Sequence, residues 1–142
     1  MNRPAVLFLC TGNTARSQMA EAFLRRHGGD RFEAASAGFE PSEINPMTRQ
    51  VMEEVGYDLA GQRSKSLDEY LGRKHFGYLV TVCGEAEKRC PKAFPGVGRR
   101  VHWPFDDPAA HEGAEEERLE KFRQVRDRIE ARVKAWIEEV GS

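Results

Sequence analysis

The stretch Cys10-Thr11-Gly12-Asn13-Thr14-Ala15-Arg16-Ser17 decides the reading of this 142-residue chain. An apolar run, Ala5-Val6-Leu7-Phe8-Leu9, leads into it, and an amphipathic stretch, Gln18 to Leu24, leads out. That pattern predicts a buried strand, a tight loop and a helix that begins at Ser17. Five residues separate Cys10 from Arg16, so one loop can wrap an anion between them. Backbone N–H groups of Thr11, Gly12, Asn13, Thr14 and Ala15 can form an anion nest, to which the helix adds its positive end. Arg16 can fork two donors onto a tetrahedral oxyanion. The same field should lower the pKa of Cys10 and favour the nucleophilic thiolate. Gly12 and Asn13 are the residue types that tolerate the positive φ such a loop needs. Neither a Walker A nor a dinucleotide-binding glycine pattern fits.

Length and composition narrow the rest. The chain is long enough for one domain, residues 1–142, with a core that needs no staples. A net charge of −1 with acids and bases interspersed gives no bulk pull on nucleic acid. The longest apolar run is far short of the ~18–20 residues that span a membrane. The N-terminus lacks a signal-peptide arrangement, so a cytoplasmic protein is expected. Three cysteines in a reducing compartment argue for reactive or buried thiols over a disulfide framework.

Further along, Phe32 to Ser36 reads as a second strand, with Ala37-Gly38 turning the chain. Asn45 caps and Pro46 opens a second helix that Gly56 ends. Ser66 and Glu69 look like a capping box for a short helix reaching about Leu71. Tyr78 to Val82 is a third strand ending on Cys83, and Arg100 to Trp103 a fourth. Residues 84–90 are polar, and Pro104-Phe105-Asp106-Asp107-Pro108 is a rigid loop. Leu119, Phe122, Val125, Ile129, Val133, Trp136, Ile137 and Val140 recur every three or four residues along one long helix. Its outer charges should pair as Glu117–Lys121 and Glu130–Lys134. Alternating strands and helices predict an α/β fold: a four-stranded parallel sheet, order 2-1-3-4, with helices on both faces. Cys10, Cys83 and the Asp106-Asp107 loop then share the rim where open sheets bind ligands.

The Cys10–Arg16 loop resembles that of the low-molecular-weight protein tyrosine phosphatases and of arsenate reductases built on that fold. The blocks Val80-Thr81-Val82-Cys83-Gly84 to Cys90-Pro91 and His102-Trp103-Pro104-Phe105-Asp106-Asp107-Pro108-Ala109 resemble the thioredoxin-coupled arsenate reductases. The resemblance implies reduction of arsenate to arsenite, with no cofactor. Cys10 would attack arsenate held by the loop and Arg16, Asp107 would protonate the departing oxygen, and Ser17 would hydrogen-bond the Cys10 thiolate. Cys83 would then attack Cys10, and Cys90 would attack Cys83, leaving a disulfide that thioredoxin reduces. It also implies a cation near counterparts of Asn13, Glu21 and Ser36 in some members; Lys65 stands here where those carry an acid.

Alternatives stay open at this point. A phosphatase needs only one thiolate, an arginine and a general acid, although Ala109 replaces the aromatic residue usual in phosphotyrosine enzymes. A non-catalytic thiol redox sensor, and Cys83 as plain core, are further readings. Zinc on Cys83, Cys90 and His102 lacks a well-spaced fourth ligand, so no metal is expected. The choice of Asp107 over Asp106 rests on the resemblance. A helical 84–90 would hold the Cys83 and Cys90 Cα atoms roughly 10 Å apart. A disulfide tolerates about 7 Å, so this segment should rearrange on oxidation. A monomer is expected.

Overall fold

The computed structural model describes residues 3–59, 61–70, 73–83 and 97–141. Cys90 and the 84–90 segment lie outside the described residues, and the expectations placed on them are not addressed by it.

Four strands form one parallel sheet in the order β2-β1-β3-β4, the order expected from right-handed crossovers. β1 (Ala5–Cys10) is central and buried at every position, which explains its unbroken apolar run. It pairs with β2 (Glu33–Gly38) through Leu7↔Ala35 and Cys10↔Gly38, and with β3 (Phe76–Thr81) through Leu9↔Thr81. β4 (Val97–His102) closes the far edge through Thr81↔His102.

Strand ends differ from the pattern-based expectation for a common reason. Pairing follows the partner strand, and local turn chemistry yields to it. Gly38 does not turn the chain but extends β2 beside Cys10, and β3 begins at Phe76, opposite Val97. Trp103 lies past the end of β4, buried against Phe8 and Trp136 with the Arg132 guanidinium over its ring.

α1 (Arg16–Gly28) packs on β1 and β2, and α3 (Glu115–Gly141) lies along α1. From α3, Trp136 reaches the rings of Phe32 and Tyr78. Phe122, Val125, Ile129 and Val133 carry the apolar stripe predicted for this helix and are fully or almost fully buried. Each such side chain contributes about 1.5–3 kcal/mol. α2 (Pro46–Glu53) is capped by Asn45, whose side chain accepts from Met47 N–H at 2.8 Å, with Pro46 opening the helix as expected.

The predicted helix after Ser66 is a single 3-10 turn, Leu67–Glu69. Ser66 accepts from Asp68 N–H, but Glu69 turns to Arg63 at 2.6 Å and closes no capping box. The expected pairs along α3 are also redirected: Glu130 binds His27 of α1 at 2.8 Å, and Lys121 binds Asp106 at 3.1 Å. Tertiary partners replace the i,i+4 neighbours there.

Candidate active site

Residues 11–15 run from the end of β1 to the start of α1, and their carbonyls are engaged away from the loop's centre. Thr11 C=O accepts from Glu40 N–H (2.9 Å) and Gly12 C=O from Ser42 N–H (3.2 Å). Asn13 C=O accepts from the Ser64 hydroxyl (2.8 Å) and the Gln18 amide (3.0 Å). Thr14 C=O accepts from Asn45 N–H and the Thr48 hydroxyl, both at 3.1 Å, and Ala15 C=O from Met19 N–H. With its carbonyls held from outside, the loop is left to present N–H groups to its interior. Asn13 makes the winding possible: among the described residues it is the one non-glycine in the left-handed region, at φ 54°. Glu40, Ser42, Thr48 and Ser64 carry no mark in the sequence that separates them from ordinary loop residues.

The helix end strengthens the same field. α1 starts at Arg16, one residue before the expected Ser17, and Ala15 at its N-cap supplies no side-chain hydrogen bond. No acid stands in its first turn, whereas α3 opens on Glu115, Glu116 and Glu117. An uncapped, unneutralised N-terminus is an anion site. Ser17 is fully buried inside that first turn, and its hydroxyl accepts from the Asn13 side-chain amide at 2.8 Å.

Above the loop lies a cleft of about 380 Å³ lined by Cys10, Arg16, Cys83, Asp107 and Ala109 with the loop's Thr11, Gly12, Thr14 and Ala15. It gathers the expected substrate-binding residues apart from Asn13, which is buried beneath the loop. Arg16 donates from one terminal nitrogen to Phe105 C=O (3.0 Å), while the other lies 3.8 Å from Asp107. Its Nε is buried without a partner among the described residues. Asp107 also accepts from Ala109 N–H at 3.0 Å, which sets the turn at Pro108. Asp106 points elsewhere, to Lys121 and Arg128, and the Lys121 ammonium holds its carboxyl below the ordinary range. Position therefore separates the two aspartates, which spacing alone could not.

Cys10 and Cys83 are both reduced, buried thiols. Cys83 lines the same cleft as Cys10, and Thr11 Oγ1 lies 3.7 Å from the Cys83 sulfur. This neighbour changes the expected acidity. The Cys83 thiol and burial push the Cys10 thiol up, against the opposing pull of Arg16 and of the Thr11 N–H. The positive field is present, but a second sulfur on the same rim and burial outweigh it.

Beneath the loop, the Lys65 ammonium lies 3.7 Å from Glu21 and donates to Arg63 C=O at 2.8 Å. Glu21 also accepts from the Ser36 hydroxyl at 2.5 Å. Burial lowers the Lys65 pKa and Glu21 opposes that. No group of three or more His, Cys, Asp or Glu able to hold a metal occurs among the described residues, and no described helix is long and apolar enough to cross a membrane.

Comparison with known proteins agrees with this architecture. The chain is 45% identical over 138 residues to an arsenate reductase of Halalkalibacterium halodurans, covering 97% of this chain and 98% of that one. It is 42% identical over 138 residues to an arsenate reductase of Bacillus subtilis, with the same coverage. Among solved structures, an arsenate reductase in the phosphate-binding state superposes with a TM-score of 0.81 at 30% identity, over 96% of this chain and 98% of the other. A thioredoxin-dependent arsenate reductase of Corynebacterium glutamicum shares the fold, with a TM-score of 0.73 at 24% identity, over 98% of this chain and 62% of that one. Residues 5–142 match the model of one family, and the chain belongs to it: the low molecular weight phosphotyrosine protein phosphatases.

Proposed function

We propose that this protein reduces arsenate to arsenite through Cys10, Cys83 and Cys90, and is regenerated by thioredoxin. The observation that carries the reading is a second buried thiol, Cys83, lining the same cleft as Cys10 beside the oxyanion loop. Hydrolysis of a phosphoester has no use for a second thiol at that place. A two-electron reduction does. Relatives at 41–45% identity named arsenate reductase support the same conclusion.

Arsenate enters the loop as an anion, bound by inward N–H groups and the Arg16 guanidinium. A Cys10 thiol meeting an arsenate dianion can pass its proton to an arsenate oxygen, which carries the same proton count as thiolate plus monoanion. Cys10 sulfur then bonds to arsenic while an As–O bond breaks, and Asp107 protonates the oxygen, which leaves as water. The Cys83 thiolate attacks Cys10 sulfur. An S–S bond forms, the S–As electron pair passes to arsenic, and As(V) departs as As(III). Cys90 next displaces Cys10 from Cys83. The Cys83–Cys90 disulfide passes to a dithiol partner, for which thioredoxin is the candidate. We place the enzyme in the cytoplasm as a monomer, without nucleic acid or membrane partners, cofactor or metal.

The test is arsenate-dependent NADPH oxidation with thioredoxin and thioredoxin reductase, beside a Cys90→Ser variant. Sustained turnover in the wild type, lost in the variant, is expected. Phosphoester hydrolysis indifferent to Cys83 and Cys90, with no arsenate turnover, would establish a phosphatase. Oxidation of the cysteines without multiple turnovers would establish a redox sensor.

A further inference from the structure

A second cavity, of about 260 Å³, lies between the start of α2, the 3-10 turn Pro108–Ala110 and the first turns of α3. Pro46, Met47, Pro108 and Phe122 give it apolar walls, and Phe122 is almost fully buried. Ala109 lines this cavity and the catalytic cleft alike, so the two share a wall. Asn45, whose N–H donates to the Thr14 carbonyl of the oxyanion loop, lines it as well.

Arg118 is the cation among the lining residues. Its Nε is buried without a partner, and its side chain makes no hydrogen bond or ion pair among the described residues. Glu115, three residues before it, lines the cavity too and does not pair with it. The other four arginines of α3 are all engaged: Arg123 and Arg126 with Glu54, Arg128 with Asp106, Arg132 with Glu139. A buried donor left unpaired is costly, so a guanidinium held this way calls for an acceptor.

The lining narrows the class of that acceptor. Arg118 brings one positive charge and Glu115 one negative, so a phosphate or sulfate dianion is not balanced there. A guanidinium fork matches a carboxylate in shape and in charge. Apolar walls with few convergent polar groups are the pattern of a small-molecule site, and the volume falls just under the ~300–1,000 Å³ of drug-sized ligands.

We propose that this cavity is a binding site for a small organic monocarboxylate, its carboxylate on the Arg118 guanidinium and its apolar body against Met47, Pro108 and Phe122. The site is separate from the redox chemistry and stands whether the catalytic cleft reduces arsenate or hydrolyses a phosphoester. An occupant bears on Pro108 and Ala109. Asp107 accepts from Ala109 N–H at 3.0 Å, so the cavity reaches the turn that carries the cleft's carboxylate.

The test is a titration of isotope-labelled full-length protein with benzoate, followed by amide NMR shifts, with and without inorganic phosphate to fill the oxyanion loop. Benzoate should shift amides of 45–50, 109–110 and 115–118 saturably in both conditions, with a Kd on the order of 1–10 mM for so small a ligand. Benzamide, the same shape without the charge, should bind at least about fivefold more weakly. Arg118→Met should abolish the benzoate shifts, and Arg118→Lys should retain part of the affinity. Arg118→Met should also melt no lower than the wild type, since it deletes an unsatisfied donor. Glu115→Gln should tighten benzoate by about twofold, because it removes a like charge. Shifts confined to residues 10–16 and lost with phosphate would mean that benzoate reads only the oxyanion loop, and would overturn the proposal. Equal binding of benzamide, or benzoate shifts that survive Arg118→Met, would overturn it by showing an apolar hollow with no anion site. So would the absence of any saturable shift. A fall of several degrees in the melting temperature of Arg118→Met would assign the guanidinium to folding, with the same consequence.

Discussion

Lys65 places its ammonium 3.7 Å from a Glu21 oxygen that also accepts from Ser36, with both charged side chains almost wholly enclosed. A buried carboxylate needs a compensating charge, and a lysine supplies one that cannot diffuse away.

The first prediction is that the wild type ignores potassium. Turnover in potassium chloride and in sodium chloride of equal ionic strength should agree within about a factor of two, because the positive charge beside Glu21 is covalently attached. Lys65→Met should melt earlier, losing about 1 kcal/mol, because Arg25 still pairs with the other Glu21 oxygen at 2.5 Å, and added potassium should recover part of that loss. A several-fold stimulation of the wild type by potassium would contradict this account.

Arg16 and Asp107 face each other across the cleft at 3.8 Å, close enough for one bound oxyanion to touch both. Asp107→Asn keeps the shape of the turn, since the amide oxygen can still accept from Ala109 N–H. It removes the proposed proton source. The rate of the first chemical step should fall by roughly 10²–10⁴ while arsenate binding is little changed. Asp106→Asn should leave that rate near wild type, because Asp106 faces Lys121 and Arg128 instead. Single-turnover kinetics with arsenate separates the two.

Much of this arrangement was legible beforehand, for identifiable reasons. β1, the Cys10–Arg16 loop and α1 form one local unit whose period, turn residues and charges agree with one another. Parallel order followed from connection rules that do not depend on side chains. What escaped reading depends on long-range partners. Most of the groups that engage the loop's carbonyls come from 40–48 and 64, and a hydroxyl or backbone N–H at those positions looks like any surface loop. The Cys10 acidity was misjudged because Cys83, distant in sequence, returns to the same rim. Gln18, like Ser17 and Glu21, is a polar residue buried on α1, and its partners at 62 and 63 are invisible to helix periodicity.

Glu54, just beyond α2, accepts from Arg123 and Arg126 of α3, and Arg126 also donates to Val51 C=O at 2.9 Å. Chiefly through the Arg123 bonds, the Glu54 pKa is held below its ordinary 4.5. Between the lowered value and 4.5 the unfolded chain binds more protons than the folded one, so stability rises with pH there. The contribution is present in full above 4.5 and disappears as the pH falls through the lowered value. Glu54→Gln should therefore flatten the acid limb of the stability curve and cost about 1 kcal/mol at neutral pH, less in high salt since the group is a third exposed. Urea unfolding at several pH values and two ionic strengths measures both effects.

Three glycines separate loop shape from general stability. A Cβ on Gly38 would sit 2.6 Å from Thr11 C=O oxygen and 2.9 Å from Asn13 nitrogen, both backbone atoms of the oxyanion loop. Neither can swing aside as a side chain would, so Gly38→Ala must push the loop out of register. Overpacking of this kind costs about 1–3 kcal/mol, and here the displaced atoms belong to the loop whose N–H groups face the anion site. Gly56 has φ +90° with open space around it, so Gly56→Ala strains only the turn after α2, by about 1 kcal/mol. Gly61 has neither constraint, and Gly61→Ala should be silent. Melting temperature should thus fall for Gly38→Ala and Gly56→Ala alike, while the arsenate KM rises for Gly38→Ala alone. Equal KM values in all three would mean that β2 does not support the loop, since the close approach at Gly38 is the feature that links them.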